Sequence, residues 1–256
     1  MTDLPAEASF RGMTIEPTDD QALPDAEQVG HEHPDVTGGW LRPAVFGAMD
    51  GLVSNFALIM GVTGGSDDTK PVILAGLAGL AAGAFSMAAG EYTSVASQSE
   101  FARQQVELER REILVNGDAE EAELAAMYVG KGVDLGVARQ MAEQVHRDVD
   151  NAVRVHAREE FGVDPDALAS PVVAASSSFV AFAVGAFLPV LPYLLGATRM
   201  WPAVVLSLLG LFGCGALVTR VTDRSWWYGG LRQLVLGGAA AALTYGVGSA
   251  VGAGLS

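Results

Sequence analysis

Cysteine is almost absent from this sequence, and charged residues are scarce. Cys214 is the only cysteine, which excludes an internal disulfide and a metal site built from several thiolates. Charged side chains make up 18% of the chain, whereas an ordinary soluble domain has about 25%. The 15 basic residues are outnumbered by 30 acidic ones, giving a net charge of -15. This balance argues against nucleic-acid binding, which needs a basic face.

Half of the residues are hydrophobic, and they are concentrated in five segments. Of the 30 acids, 25 lie in residues 1–42 or 98–170, which indicates a membrane protein with two polar insertions rather than one soluble globule. Each apolar segment has roughly the 20 residues that a membrane-spanning helix needs, and none alternates in polarity as a barrel strand does. The predicted fold class is an all-α membrane protein with five transmembrane helices, at Ala44–Gly64, Val72–Ser97, Val172–Leu195, Pro202–Val221 and Leu231–Leu255.

Four regions follow from this pattern. Residues 1–39 are predicted to be a disordered acidic tail, because they contain four prolines and few apolar residues. The tail lacks the basic and apolar stretches of a signal peptide, so the first segment is expected to insert by itself. Its His31 and His33 suit metal scavenging, but a solvated tail is the favoured interpretation. The remaining regions are the first two transmembrane helices (40–97), a cytoplasmic metal-binding domain (98–170) and the last three transmembrane helices (171–256).

The basic residues predict the orientation in the membrane. Lys70 lies in the connection between the first and second segments, and Arg199 lies in the connection between the third and fourth. The other thirteen lie before the first segment, between the second and third, or around the connection from the fourth to the fifth. The positive-inside rule therefore places the N-terminus and residues 98–170 in the cytoplasm. Five crossings place the C-terminus on the opposite side.

Residues 98–170 are predicted to form a three-helix insertion. No proline or glycine interrupts Gln98–Val115, so the second transmembrane helix is expected to continue into the cytoplasm. A turn at Asn116–Asp118 leads into a second, acidic helix over Asp118–Val129. Asp134 is a suitable N-cap for a third helix over Leu135–Phe161. A core this small is expected to need a partner, such as a second copy of the chain.

Two acids interrupt the apolar segments, and both are candidate pore residues. Asp50 lies six residues into the first segment, about 9 Å deep, and Glu91 lies near the cytoplasmic end of the second. A carboxylate at membrane depth costs about 2.5–3.5 kcal/mol on insertion scales, so such residues mainly serve ion or proton pathways. Met87 precedes Glu91 by one turn, and a thioether beside a carboxylate suits Fe²⁺ better than Mg²⁺ or Ca²⁺. Snorkelling of either acid to the interface is the alternative.

The insertion contains a pattern typical of a divalent-metal site. Two pairs of glutamates, each three residues apart, project from one face of the first and second predicted helices. A turn between these helices would bring the pairs together, and clustered carboxylates repel one another unless a cation lies between them. His156 stands four residues before Glu160 and adds a nitrogen ligand, which favours a transition metal. The predicted metal ligands are Glu109, Glu112, Glu120, Glu123, His156 and Glu160. A solvated acidic helix face is the alternative.

The sequence resembles the vacuolar iron transporter family. The residues that carry the resemblance are Asp50–Phe56 with Met60–Val62 in the first segment, and Ala82–Tyr92 followed by Ser94 and Ser97–Gln98 in the second. The run Glu107–Glu112 continues the match, and a third motif is Phe187–Pro189 with Leu191–Tyr193. The resemblance covers about Arg42 to the C-terminus and excludes the tail.

This resemblance implies a homodimer of five-helix subunits with a pore along the two-fold axis. It implies a transporter, not an enzyme, that exports Fe²⁺ from the cytoplasm in exchange for protons and uses no organic cofactor. Asp50 and Met87 match the pore carboxylate and methionine of the family, while Glu91 is acidic in many relatives but not in all. The five glutamates of the insertion match its metal-binding domain. His156 replaces a methionine there, so selectivity is expected to differ.

Several alternatives stay open. Carboxylates do not by themselves choose the metal, so the transported ion is Fe²⁺ or else Mn²⁺ or Zn²⁺. A membrane-tethered di-iron oxidase is a second reading. Ferritin-like sites use Glu-x-x-His pairs on bundle helices; we expect no such pair in the insertion, and an oxidase would not need Asp50. A membrane scaffold is a third, and it leaves Asp50 unexplained. The expected surroundings are a lipid bilayer, most simply a bacterial inner membrane.

Overall fold

The described part of the chain is built from helices. The structure, a computed structural model, describes residues 39–66, 68–219 and 225–255. Its helices are α1 (Leu41–Gly65), α2 (Thr69–Gly130), α3 (Leu135–His146), α4 (Val149–Glu160), α5 (Pro171–Leu194), α6 (Trp201–Val218) and α7 (Trp226–Leu255). Helices α1, α2, α5, α6 and α7 are each long and apolar enough to cross a membrane, so the prediction of five membrane helices is confirmed. The predicted tail, with His31 and His33, lies outside the described residues apart from Gly39.

Helix α1 packs against α5, α7 and α2, and small residues allow its close approach to α5. A Cβ on Gly51 would overlap the backbone carbonyl of Phe182, and one on Gly185 would overlap that of Ala48. Small residues four apart commonly let membrane helices pack backbone to backbone. The spacing of Gly47 and Gly51 therefore serves a contact within one subunit.

Asn55 ties three membrane helices together. Its side chain is buried in α1, and its Nδ2 donates to the carbonyl oxygens of Gly76 on α2, at 3.1 Å, and of Ala186 on α5, at 2.6 Å. Polar side chains inside a membrane bundle add interhelical hydrogen bonds of about 0.6 kcal/mol each. The bonds from Asn55 fix the position of α1, on which Asp50 lies five residues earlier.

Helix α2 continues without a break from the membrane bundle into the insertion. The chain returns to the bundle beside it, where the Ser99 hydroxyl donates to the carbonyl of Ala169 at 3.0 Å. Asn116, with φ -129° and ψ 38°, is the residue at which α2 leaves helical geometry. The turn predicted over Asn116–Asp118 is therefore a kink at one residue, and Asp118 is helical rather than a cap.

The prediction of one helix over Leu135–Phe161 is wrong, because the chain breaks between α3 and α4. Asp148 has an extended backbone, with ψ 118°, and its carboxylate accepts from the amide of Asp150 at 2.9 Å. An N-cap of this kind starts a new helix and stops the preceding one from continuing. Asp134 caps α3 as predicted, accepting from the amide of Gly136 at 2.8 Å.

Candidate metal centre and membrane carboxylate

Four potential metal ligands meet where the two halves of α2 and helix α4 come together. Glu109 and Glu120 come from either side of the kink, and His156 and Glu160 stand four residues apart on α4. One ligand atom from each of the four lies within 4.8 Å of all the others. In a straight helix the 11 residues from Glu109 to Glu120 would span about 16 Å. The bend at Asn116 therefore assembles the cluster.

His156 is at the centre of this arrangement. The residue is fully buried, and Glu109 is 2% exposed. Nδ1 of His156 lies 2.7 Å from Oε1 of Glu160 and 3.0 Å from Oε1 of Glu109. Whether Nδ1 donates or accepts depends on which ring nitrogen carries the hydrogen. Among the described residues, the buried Oε1 of Glu109 has no hydrogen-bond partner, and an unpaired buried acceptor of this kind is open to a cation.

The carboxylates of the cluster destabilise one another's charge. Burial, and then the neighbouring carboxylates of Glu160 and Glu120, raise the pKa of Glu109 from 4.5 to about 7. Burial and then Glu123 raise the pKa of Glu120 as well. A metal ion offsets the repulsion that causes these shifts, because it neutralises several oxygens at once. Such perturbed carboxylates are common at functional sites.

Glu112 and Glu123 are near the cluster but do not belong to its core. Both residues are exposed, and both contribute to the raised pKa of Glu109. The structure therefore brings together Glu109, Glu120, His156 and Glu160, and leaves Glu112 and Glu123 exposed beside them.

The sequence interpretation missed His146. Its Nε2 lies 3.3 Å from Nε2 of His156. In the continuous helix that was predicted, these two residues would be about 15 Å apart. Asp148 is the N-cap of α4, and Asp150 is an acid in its first turn. This pattern could have predicted the break between α3 and α4, and with it the contact between His146 and His156.

The described insertion does not resemble a di-iron site. The expectation that the insertion has no Glu-x-x-His pair is wrong, because Glu143 and His146 have that spacing. The Glu143 side chain is however 63% exposed, pairs with Arg147 at 3.5 Å and is not one of the four clustered ligands.

Asp50 lies on the face of α1 that the rest of the subunit leaves uncovered. Exposed residues recur on α1 every four positions, at Phe46, Asp50, Ser54 and Leu58. Asp50 is nine residues from the start of α1, about 14 Å along the helix. Within the described residues, its carboxylate has no hydrogen-bond or ion-pair partner. Acidic residues within apolar segments usually face the interior of a helix bundle or a water-filled cavity.

The other two predicted pore residues, Met87 and Glu91, lie on α2. Met87 is half-buried against Ala84, Phe182 and Ala186, and Glu91 is half-buried one turn further along. In the described part of the chain, no hydrogen bond or ion pair joins Asp50 to Glu91.

Five apolar helices, a stripe with an unpartnered carboxylate and an acidic cluster on a helical insertion define an integral membrane protein that handles cations. Residues 41–249 match the model of the VIT family, and the chain belongs to that family. It is 35% identical over 236 residues to the vacuolar iron transporter of Acanthamoeba castellanii, covering 86% of this chain and 82% of that protein.

Two rice proteins are similar over comparable lengths. Vacuolar iron transporter 1 of Oryza sativa subsp. japonica is 27% identical over 227 residues, covering 86% of this chain and 90% of that protein. Vacuolar iron transporter homolog 1 of the same plant is 32% identical over 213 residues, covering 81% and 72%. The likeness extends over both the membrane helices and the insertion.

Proposed function

We propose that this protein transports Fe²⁺ out of the cytoplasm in exchange for protons, for iron detoxification or storage. The observation that carries the proposal is Asp50, an unpartnered carboxylate at membrane depth in a chain whose relatives are named vacuolar iron transporters. Inserting a carboxylate that faces lipid costs about 2.5–3.5 kcal/mol of free energy. A carboxylate that faces a water-filled pore stays hydrated and avoids this cost.

A second copy of the chain supplies the other wall of this pore. The α1 stripe of one subunit faces that of its partner, so two Asp50 carboxylates oppose each other across a two-fold axis. An apolar groove between α1 and α7, lined by Leu58, Gly61, Val247 and Gly248, lies along the same side of the molecule. It offers the apolar surface that such a dimer would cover.

The insertion collects the ion, and α2 connects it to the pore. The buried cluster of Glu109, Glu120, His156 and Glu160 supplies three carboxylates and one imidazole, a mixed set that suits Fe²⁺. Met87 and Glu91 lie on the same helix nearer the membrane, where they act as the next ligands. The positive-inside pattern puts the insertion in the cytoplasm, so ions are loaded there.

Proton exchange follows from the chemistry of a pore carboxylate. A proton and a metal ion neutralise the same oxygen atoms, so each displaces the other. A proton arriving from the far side releases Fe²⁺ from Asp50, and loss of that proton to the cytoplasm restores the binding form.

The test is Fe²⁺ uptake by proteoliposomes with an imposed pH gradient, measured under anaerobic conditions. Wild-type protein is expected to move Fe²⁺ only with the gradient, and Asp50→Asn is expected to abolish the flux. Glu100→Gln is the matched control, because Glu100 is an exposed acid of α2 outside the cluster. Equal flux in wild type and Asp50→Asn would contradict the pore assignment.

The donor set also supports Mn²⁺ or Zn²⁺ as the transported ion. Three carboxylates favour Mn²⁺, and the imidazole of His156 favours Zn²⁺. Competition of each ion against Fe²⁺ in the same vesicles ranks them. Stronger inhibition by Mn²⁺ or Zn²⁺ than by unlabelled Fe²⁺ would move the assignment to that metal.

A further inference from the structure

His146, which lies outside the predicted ligand set, contacts the central residue of the metal cluster. It ends α3, and its ring meets that of His156 edge to face, with 5.1 Å between ring centroids and 3.3 Å between the two Nε2 atoms. His156 is fully buried, so both of its nitrogens depend on neighbouring protein atoms. What His146 presents to Nε2 therefore decides which nitrogen of His156 carries the hydrogen.

The backbone fixes the hydrogen-bonding role of His146. Its Nδ1 lies 2.9 Å from the carbonyl oxygen of Ala142, and a carbonyl can only accept, so Nδ1 carries the hydrogen. A neutral imidazole with its hydrogen on Nδ1 has a lone pair on Nε2. His146 is therefore an acceptor facing His156, and Nε2 of His156 is the matching donor.

The other nitrogen of His156 faces carboxylates. Its Nδ1 lies 2.7 Å from Oε1 of Glu160 and 3.0 Å from Oε1 of Glu109. With the hydrogen of a neutral ring on Nε2, the lone pair of Nδ1 points toward oxygen lone pairs and is repelled by them. A divalent cation between these three atoms removes the repulsion.

We infer that His146 is a positioning residue for the metal site. By accepting from Nε2–H of His156, it holds that imidazole in the tautomer whose Nδ1 binds the ion together with Glu109 and Glu160. The inference rests on the proposed function only in assuming that the insertion binds the transported metal. Metal-binding histidines generally donate their second N–H to a fixed acceptor, and loss of that acceptor lowers metal affinity by about 10–100-fold.

Two substitutions of His146 test whether the residue acts by accepting a hydrogen bond from His156 or only by filling space beside it. The full chain in detergent is titrated with Co²⁺ alone, and binding is followed by visible absorption. His146→Leu fills the space but cannot accept, so it is expected to weaken Co²⁺ binding at least tenfold at unchanged stoichiometry. His146→Gln offers a carbonyl oxygen near the position of Nε2, so it is expected to restore affinity to within threefold of wild type. Equal affinity in wild type and His146→Leu, or equal losses in both variants, would overturn the inference.

A spectroscopic measurement on the wild-type chain needs no substitution. With ¹⁵N-labelled histidine and Zn²⁺ bound, His156 is expected to show a metal-bound Nδ1 and a protonated Nε2. A metal-bound Nε2 with a protonated Nδ1 would overturn the inference, because the ion would then lie on the His146 side of the ring.

The outcomes distinguish this inference from the transport proposal. If wild-type vesicles take up Fe²⁺ but Co²⁺ affinity is unchanged in His146→Leu, the role of His146 is wrong and the transport function stands. If the Co²⁺ affinities differ as expected but the vesicles take up no metal, the role of His146 stands and the transport function is wrong.

Discussion

Replacing Glu109 with glutamine should change how the stability of the metal-free insertion depends on pH. The pKa of Glu109 is about 7 in the folded chain and 4.5 when unfolded. A folded pKa above the unfolded one means that stability is complete below pH 4.5 and is lost as the pH rises to about 7. A shift of this size corresponds to up to about 3 kcal/mol, or about 300-fold in the local opening constant. Glutamine stays neutral, so Glu109→Gln should avoid this loss.

The assay is hydrogen exchange with mass spectrometry on the full chain in detergent, with chelator present, between pH 5 and 8. Protection factors for peptides from residues 135–160 report local opening of α3 and α4. Wild type and Glu109→Gln should be most similar near pH 5, and the variant should become better protected as the pH rises to about 7, with a constant difference above that. Glu100→Gln, an exposed control on α2, should behave as wild type. A variant that keeps the wild-type pH dependence would refute the reasoning.

Two further outcomes are expected. Gly51→Ala should lower the thermal stability of the bundle by about 1–3 kcal/mol, because its Cβ meets the backbone of Phe182; the control Gly90→Ala, with open space around it, should be neutral or stabilising by up to about 1 kcal/mol. Equal effects of the two changes in thermal unfolding would contradict this packing. Zn²⁺ at 100 times its Kd should raise the protection of residues 135–160 by about 2.7 kcal/mol, and chelator should reverse it. Protection gained only in the membrane helices would place the metal elsewhere.

The membrane helices could be predicted from the sequence because a single physical rule governs them. Five runs of about 20 apolar residues each must satisfy their backbone internally, and five suitable helices are found. Their ends differ by a few residues; α7 begins at Trp226 rather than Leu231. Interfacial tryptophans are compatible with a helix that extends beyond the hydrocarbon, so hydropathy alone places this boundary too late.

The metal cluster could be predicted only in part, because its geometry depends on two breaks in helices. Spacing along one helix correctly placed His156 and Glu160 on a common face. The kink at Asn116 was expected as a longer turn, and the break at Asp148 was not expected at all. Without that break, His146 stays far from His156, so its contact could not be foreseen. Which glutamates are buried also depends on tertiary packing, and this separates Glu109 from Glu112.

The hydrogen bond between Ser99 and Ala169 closes the insertion at its base, so the two chain ends of this domain leave and rejoin the membrane part side by side. The two ends of this segment lie close together, and the segment has apolar clusters of its own. Segments of this kind can be inserted or replaced in evolution without disturbing the rest of the fold. Under the proposed function, changes confined to this segment would alter which metal is collected and how tightly, while the membrane helices stay unchanged.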